Sequence, residues 1–155
     1  MSKHITVETE KCVGCHTCEI ACAIAHSKSG DIEVMMLNGE TPGYRVRVGV
    51  REDKPVPHTC LQCEKAACVL ACPTGAVRRL APGKPVLVDE EKCTGCARCV
   101  EACPFDMIEI QQGGSVAMKC DLCIRRLAKH EPPACVAACP TKALKFEEDA
   151  VRSKV

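Results

Sequence analysis

The chain of 155 residues is nearly devoid of aromatic side chains: Tyr44, Phe105 and Phe146 are its whole complement, and tryptophan is absent. So few bulky groups leave little apolar area to offset the conformational entropy lost on folding. No apolar run approaches the length of a membrane span. There is no phosphate-cradling glycine loop, no Ser/His/Asp set and no basic stripe interleaved with aromatics. Nucleotide, flavin and nucleic-acid roles therefore have no support. Met1-Ser-Lys-His-Ile carries neither the apolar segment of an export signal nor a twin-arginine pattern. The expectation is a cytoplasmic chain with no direct membrane insertion, a setting that disfavours a network of structural disulfides.

What the chain has instead is sulfur. Sixteen cysteines make up a tenth of it. Hydrophobic content is 46%, but that figure counts the cysteines as apolar. Without them, roughly a third of the chain remains for an ordinary core. Something other than side chains must fill the interior and staple it.

The cysteines fall into four runs. The most regular is Cys93-Thr-Gly-Cys96-Ala-Arg-Cys99-Val-Glu-Ala-Cys103-Pro104, or C-x2-C-x2-C-x3-C-P. Cys12, Cys15, Cys18 and Cys22 repeat its spacing, with Ala23 where proline is expected. Cys60, Cys63, Cys68 and Cys72-Pro73 stretch the middle interval to four residues; Cys120, Cys123, Cys135 and Cys139-Pro140 stretch it to eleven. This is the spacing by which a chain wraps a cubane [4Fe–4S] cluster, the fourth cysteine reaching a neighbouring cluster. Three cysteines at i, i+3 and i+6 let a loop curl over three corners. Gly14 and Gly95, between the first two cysteines of their runs, are expected to let backbone N–H groups approach the cluster sulfur. Pro73, Pro104 and Pro140 break the helix that carries the fourth cysteine. A zinc site would pair two C-x2-C knuckles rather than place three cysteines within seven residues. No cysteine is left over as a catalytic thiol.

Four clusters change the charge. The formal +1 treats cysteines as neutral. Sixteen thiolates and four oxidised cores of about +2 each bring the loaded chain to roughly −7. Lys11, Arg98, Lys119, Arg125 and Arg126 lie near cysteines and could balance that charge, or simply be solvated. His16 and His58 are near enough in sequence to tune a cluster, although an exposed histidine without a special role is the plainer reading. Met35-Met36 could face a partner or pack on a strand.

Between the runs the chain reads as short elements. Strands are expected at Ile5–Glu8, Ile32–Leu37, Tyr44–Val50 and Ala143–Phe146, with hairpins joining 76–80 to 85–88 and 107–110 to 115–118. Short helices are expected over Glu19–Ala25 and Ile124–Lys129. Glu147–Val155 reads as a charged, mobile tail. Cys72-Pro-Thr-Gly-Ala-Val, Cys103-Pro-Phe-Asp-Met-Ile and Cys139-Pro-Thr-Lys-Ala-Leu are copies of one unit, and such units must stack to bury a core. The fold class is α+β: two ferredoxin-like two-cluster units built of short hairpins and helices, with little conventional hydrophobic core. Residues alone do not decide whether the runs pair in tandem or in a nested fashion.

With sixteen cysteines, a C-x2-C-x4-C-x3-C-P second run and a C-x2-C-x11-C-x3-C-P fourth, residues 5–146 resemble the four-cluster ferredoxin-type electron-transfer subunits. These accompany molybdenum- and tungsten-pterin oxidoreductases (formate dehydrogenase, dimethyl sulfoxide reductase, aldehyde oxidoreductase), hydrogenases and carbon monoxide dehydrogenases. The resemblance implies four [4Fe–4S] clusters in nested pairing: Cys12/Cys15/Cys18/Cys139, Cys120/Cys123/Cys135/Cys22, Cys60/Cys63/Cys68/Cys103 and Cys93/Cys96/Cys99/Cys72. It implies one unit from 1–50 plus 115–155, and a second, 51–114, inserted in it. It also implies an electron relay without a catalytic site, serving anaerobic metabolism. The partners would be a catalytic oxidoreductase subunit and a second redox subunit or soluble carrier. Relatives with membrane anchors or long insertions are larger, and some short forms polymerise into wires. The alternative is a free polyferredoxin that carries electrons by diffusion.

Overall fold

The computed structural model describes residues 2–111 and 113–149. Its strands form four separate two-stranded antiparallel sheets among the described residues. β1 (Ser2–Val7) pairs with β8 (Leu144–Asp149), and β2 (Val46–Arg51) pairs with β3 (Lys54–Thr59). β4 (Val77–Arg79) pairs with β5 (Val86–Val88), and β6 (Ile108–Ile110) with β7 (Ala117–Lys119). The helices are short: α1 (Thr17–Ala25), α2 (Ile32–Leu37), α3 (Ala67–Leu70), α4 (Arg98–Glu101), α5 (Ile124–Leu127) and α6 (Ala134–Ala138). The class is α+β, as the alternation of short patterns predicts.

Two small cores hold these pieces. The outer core joins Ile5, Val46, Leu122 and Leu144 to Cys18, Cys22 and Cys135. It draws on both halves of the chain, through the register Ile5↔Phe146 and Val7↔Leu144. The inner core joins Ala66, Val77, Val86, Ile108 and Ala117 to Cys68 and Cys99. Burying a Val, Ile or Leu side chain contributes about 1.5–3 kcal/mol. Each core has few such side chains, so its cysteines form a large part of the interior.

Several expectations change. Ile32–Leu37 is helix α2, not a strand. The Asp31 carboxylate accepts from the N–H groups of Glu33 (2.9 Å) and Val34 (3.1 Å), a side-chain cap that starts a helix. The expected strand at Tyr44–Val50 begins at Val46 and pairs forward with β3. Glu52 and Asp53, both left-handed (φ 51° and 58°), make the tight turn. Pro55 and Pro57 discourage a strand reading of β3, yet they fit it. Val48, opposite Pro57, sends its N–H to the Glu19 carboxylate at 2.6 Å instead of across the ladder. Glu147–Asp149, expected in a mobile tail, lie in β8, and 150–155 fall outside the described residues. Both edges of the expected unit division cut through hairpins, at β2–β3 and at β6–β7. Val46 packs in the outer core, and Ile108 and Ala117 pack in the inner one.

Candidate metal centres

Each C-x2-C loop bends the same way. The residue before its second cysteine has a left-handed backbone: Gly14 (φ 69°), Gln62 (φ 52°), Gly95 (φ 67°) and Leu122 (φ 59°). That conformation reverses the chain locally. Glycine adopts it freely, whereas other residues lose roughly 1–2 kcal/mol. The glycine at 95 has a further reason. A Cβ there would stand 2.6 Å from the Ser115 carbonyl oxygen, so the missing side chain makes room for the β6–β7 turn. At Gly14 the nearest atom would be the Pro55 Cβ, at 3.2 Å.

All sixteen cysteines gather around four cavities of the described residues. One is lined by Cys12, Cys15, Cys18 and Cys139, and another by Cys22, Cys120, Cys123 and Cys135. A third is lined by Cys60, Cys63, Cys68 and Cys103, and the fourth by Cys72, Cys93, Cys96 and Cys99. Each set takes three cysteines from one run and the last cysteine of another. First-run cysteines meet fourth-run ones, and second-run cysteines meet third-run ones. None of these four cavities mixes first-run with second-run cysteines.

The chain aims N–H groups at these sulfurs. Cys72, Cys103 and Cys139 each begin a cysteine-proline turn. They accept from Val77 (3.4 Å), Met107 (3.5 Å) and Ala143 (3.2 Å), four or five residues on. Cys22 has no following proline, so α1 runs on to Ala25 and the local donor is lost. Its donor is the Arg45 N–H at 3.2 Å, brought in by the chain leading to β2. Cys93 accepts from Ala117 (3.3 Å) and Cys120 from Leu122 (3.4 Å). The Thr17 hydroxyl reaches Cys15 at 3.4 Å.

Such donors favour thiolate, and burial opposes it. Burial pushes Cys18 and Cys123 up to about 11, and pushes Cys135 up further with Cys22 and Cys123 beside it. Burial also raises Cys120 well above the usual range, and the Cys60 sulfur adds to the rise. On Cys72 and Cys139 burial is outweighed by N–H donors, and both fall below the usual thiol value. The Thr17 hydroxyl lowers Cys15. Four converging sulfurs with N–H donors, in mostly apolar surroundings, suit a cationic iron–sulfur core bound as thiolates.

The accessory residues sort differently from expectation. His16 is exposed and bonds Glu19 at 2.9 Å beside the first-run cavity. His58 is exposed on β3 and lines none of the four cavities. Lys11, Arg98 and Arg125 are exposed and Arg126 is half-buried; Lys119 alone of the five is buried. Sequence reasoning missed His26. Its Nδ1 lies 2.7 Å from the Cys22 carbonyl and 3.7 Å from the Cys22 sulfur, and its Nε2 lies 3.0 Å from Asp121. Burial opposes charge on His26, but Asp121 and Cys22 prevail and raise it to about 9. The available signal was its place one helical turn after Cys22.

A family model described as a 4Fe-4S dicluster domain matches residues 53–149, and one described as a 4Fe-4S binding domain matches residues 9–25. The chain belongs to the 4Fe-4S dicluster domain family. An iron-sulfur protein of Rhodospirillum rubrum is 42% identical over 96% of this chain and 84% of its own length. The thiosulfate reductase electron transfer subunit PhsB of Salmonella typhi is 37% identical over 94% of this chain and 76% of its own. UacF of Escherichia coli is 40% identical over 96% of this chain, which spans only 22% of that protein. Among solved structures, the active site complex BamBC of benzoyl coenzyme A reductase has a TM-score of 0.50 at 23% identity, covering 98% of this chain and 82% of that one, a likeness of fold. This dicluster protein is thus a ferredoxin-type iron–sulfur electron-transfer protein, and its sixteen cysteines fit four [4Fe–4S] clusters. No helix among the described residues is long and apolar enough to cross a membrane.

Proposed function

We propose that the chain is the electron-transfer subunit of an oxidoreductase complex. It would link a catalytic subunit to a second redox partner. A molybdenum- or tungsten-pterin enzyme, a hydrogenase or a carbon monoxide dehydrogenase would suit as the catalytic side. The sixteen cysteines are the ligands, in the four sets that line the cavities. Each cluster supplies a site that takes up and gives back one electron. The chain's own residues hold and space these sites and exclude water from them, and no bond chemistry is assigned to them. The units are an outer one built from 2–59 and 120–149 and an inner one built from 60–119, each holding two sets.

The observation that carries this reading is the sharing of fourth-position cysteines. Cys103 closes the set begun by Cys60, and Cys72 closes the set begun by Cys93, so neighbouring sets are tied by a few residues of backbone. Cys139 and Cys22 tie the outer pair in the same way. The loop between Cys60 and Cys63 meets Cys120 across the units, where the Gln62 amide donates to the Cys120 carbonyl at 2.8 Å. The relay then runs from the Cys93 set through the Cys60 and Cys120 sets to the Cys12 set. Cys96 and Cys15, both exposed, bring its two ends to the surface. The name of PhsB, an electron transfer subunit of a reductase, supports a catalytic partner. Anaerobic purification of the native chain tests this. Iron and acid-labile sulfide for four cubanes, with a large metalloenzyme subunit in stable complex, is the expected result. A fully loaded chain that purifies alone and exchanges electrons only by collision would replace it with the free-carrier reading.

A further inference from the structure

The junction between the two units is closed by four groups. The Lys119 ammonium donates to the carbonyl oxygens of Val86 (3.2 Å) and Cys120 (3.0 Å). The Gln62 amide donates to the same Cys120 carbonyl at 2.8 Å and accepts the Val86 N–H at 2.9 Å. Lys119 and Gln62 are each only 4% exposed. Lys119 makes no ion pair among those found for the described residues. Burying an ammonium against carbonyl oxygens alone is costly, and such a cation is ordinarily matched by negative charge. Here that charge is sulfur. Lys119 lines the cavity of Cys60, Cys63, Cys68 and Cys103 and bonds the backbone of Cys120, a member of the other unit's set. Gln62 alone already stitches the two backbones together, so the positive charge has a task beyond the stitch.

We propose that Lys119 is a positioning residue for electron transfer between the units: its ammonium, shared by the two central clusters, stabilises the electron-bearing form of both. This rests on the ligand sets proposed above. An added electron makes a cluster more negative, so a buried cation beside it raises its reduction potential. The two end clusters lie beyond its contacts and keep their own potentials.

The test is a potentiometric titration of the purified holoprotein followed by electron paramagnetic resonance, with iron and sulfide counted for every sample. Lys119→Met removes the charge and keeps the bulk. It should make two of the four reductions about tenfold less favourable, about 59 mV lower for one electron, and leave the other two in place. Lys84→Met removes an exposed charge that lines none of the four cavities and should move none of the four. Lys119→Arg should stay near wild type, and it decides the matter if the methionine variant loses clusters. The proposal is overturned if all four potentials stay put in Lys119→Met, if all four fall together, or if Lys84→Met reproduces the shift. A tenfold fall in Lys119→Arg overturns it too. A wild-type chain with fewer than four cubanes instead overturns the ligand sets themselves, before any variant is measured.

Discussion

The two regular cysteine runs and the two stretched ones solve the same bend with different residues. The first and third put Gly14 and Gly95 at the left-handed position; the second and fourth put Gln62 and Leu122 there. The regular loops carry Cys15 and Cys96, the exposed cysteines; both need conformational freedom at that point, and Gly95 also leaves room for the Ser115 carbonyl. The stretched loops face the interior. Leu122 is completely buried in the outer core, and Gln62 is buried at the junction of the units. A left-handed side chain costs roughly 1–2 kcal/mol, and a buried leucine contributes about 1.5–3 kcal/mol. The molecule accepts backbone strain where the side chain is needed and avoids it where it is not.

That contrast can be broken from either side, most strongly at Leu122. Leu122→Ala keeps the strained backbone and empties a fully buried site, with an expected loss of about 2–5 kcal/mol. Anaerobic denaturant titration of the holoprotein should show it as an earlier transition, with loss first of the cluster proposed for Cys22, Cys120, Cys123 and Cys135. Next comes Gly95→Ala, which adds left-handed strain and drives a methyl to 2.6 Å from the Ser115 oxygen. A loss of about 2–4 kcal/mol is expected, within the range of severe backbone substitutions. Gly14→Ala meets only Pro55 Cβ at 3.2 Å and should lose clearly less, about 1–2 kcal/mol. Equal effects of the two alanines would show that the two regular loops are not distinguished by their neighbours. Gln62→Gly relieves the strain but leaves the Val86 N–H without its acceptor and removes one donor from the Cys120 carbonyl. A net loss of about 1 kcal/mol is expected, and a stabilised variant would mean that the junction bonds contribute little.

A separate effect is a pH dependence confined to the outer unit. His26 has its folded pKa raised from 6.5 to about 9. The stability it contributes is therefore fully present below 6.5 and lost as the pH climbs through about 9. Thermal unfolding of the holoprotein over that window should show the decline, and His26→Gln should flatten it. No titratable residue occupies the equivalent place in the inner unit: one turn beyond Cys103 stands Met107, and beyond Cys72 stands Ala76.

The centres were more legible in the sequence than the scaffold around them. Cysteine spacing is a local property, so the four runs, the repeated cysteine-proline turns and the class of cofactor can be read from neighbouring residues. Residue patterns alone left the pairing of runs open, because it is decided by contacts such as β1 with β8 across the whole chain. α2 reads as a strand because a nearly unbroken apolar stretch lacks the period that separates strand from helix, and only the Asp31 cap marks it as a helix. β3 was missed because two prolines mask a strand whose unbonded positions suit them. Gln62, Asp121 and Lys119 gain their meaning from partners 58, 95 and 33 residues away, Cys120, His26 and Val86, and no local motif carries such information.

The β1–β8 ladder sets Ser2 directly opposite Asp149. The order in which the four runs occur is then a matter of where the polypeptide is cut, not of the cage it builds. A short linker from Asp149 to Ser2, with the chain reopened at the largely exposed turn over 81–84, would write the runs as third, fourth, first and second around the same four cavities. The module is in effect circular, and a longer protein could splice it in at that edge with both connections leaving side by side.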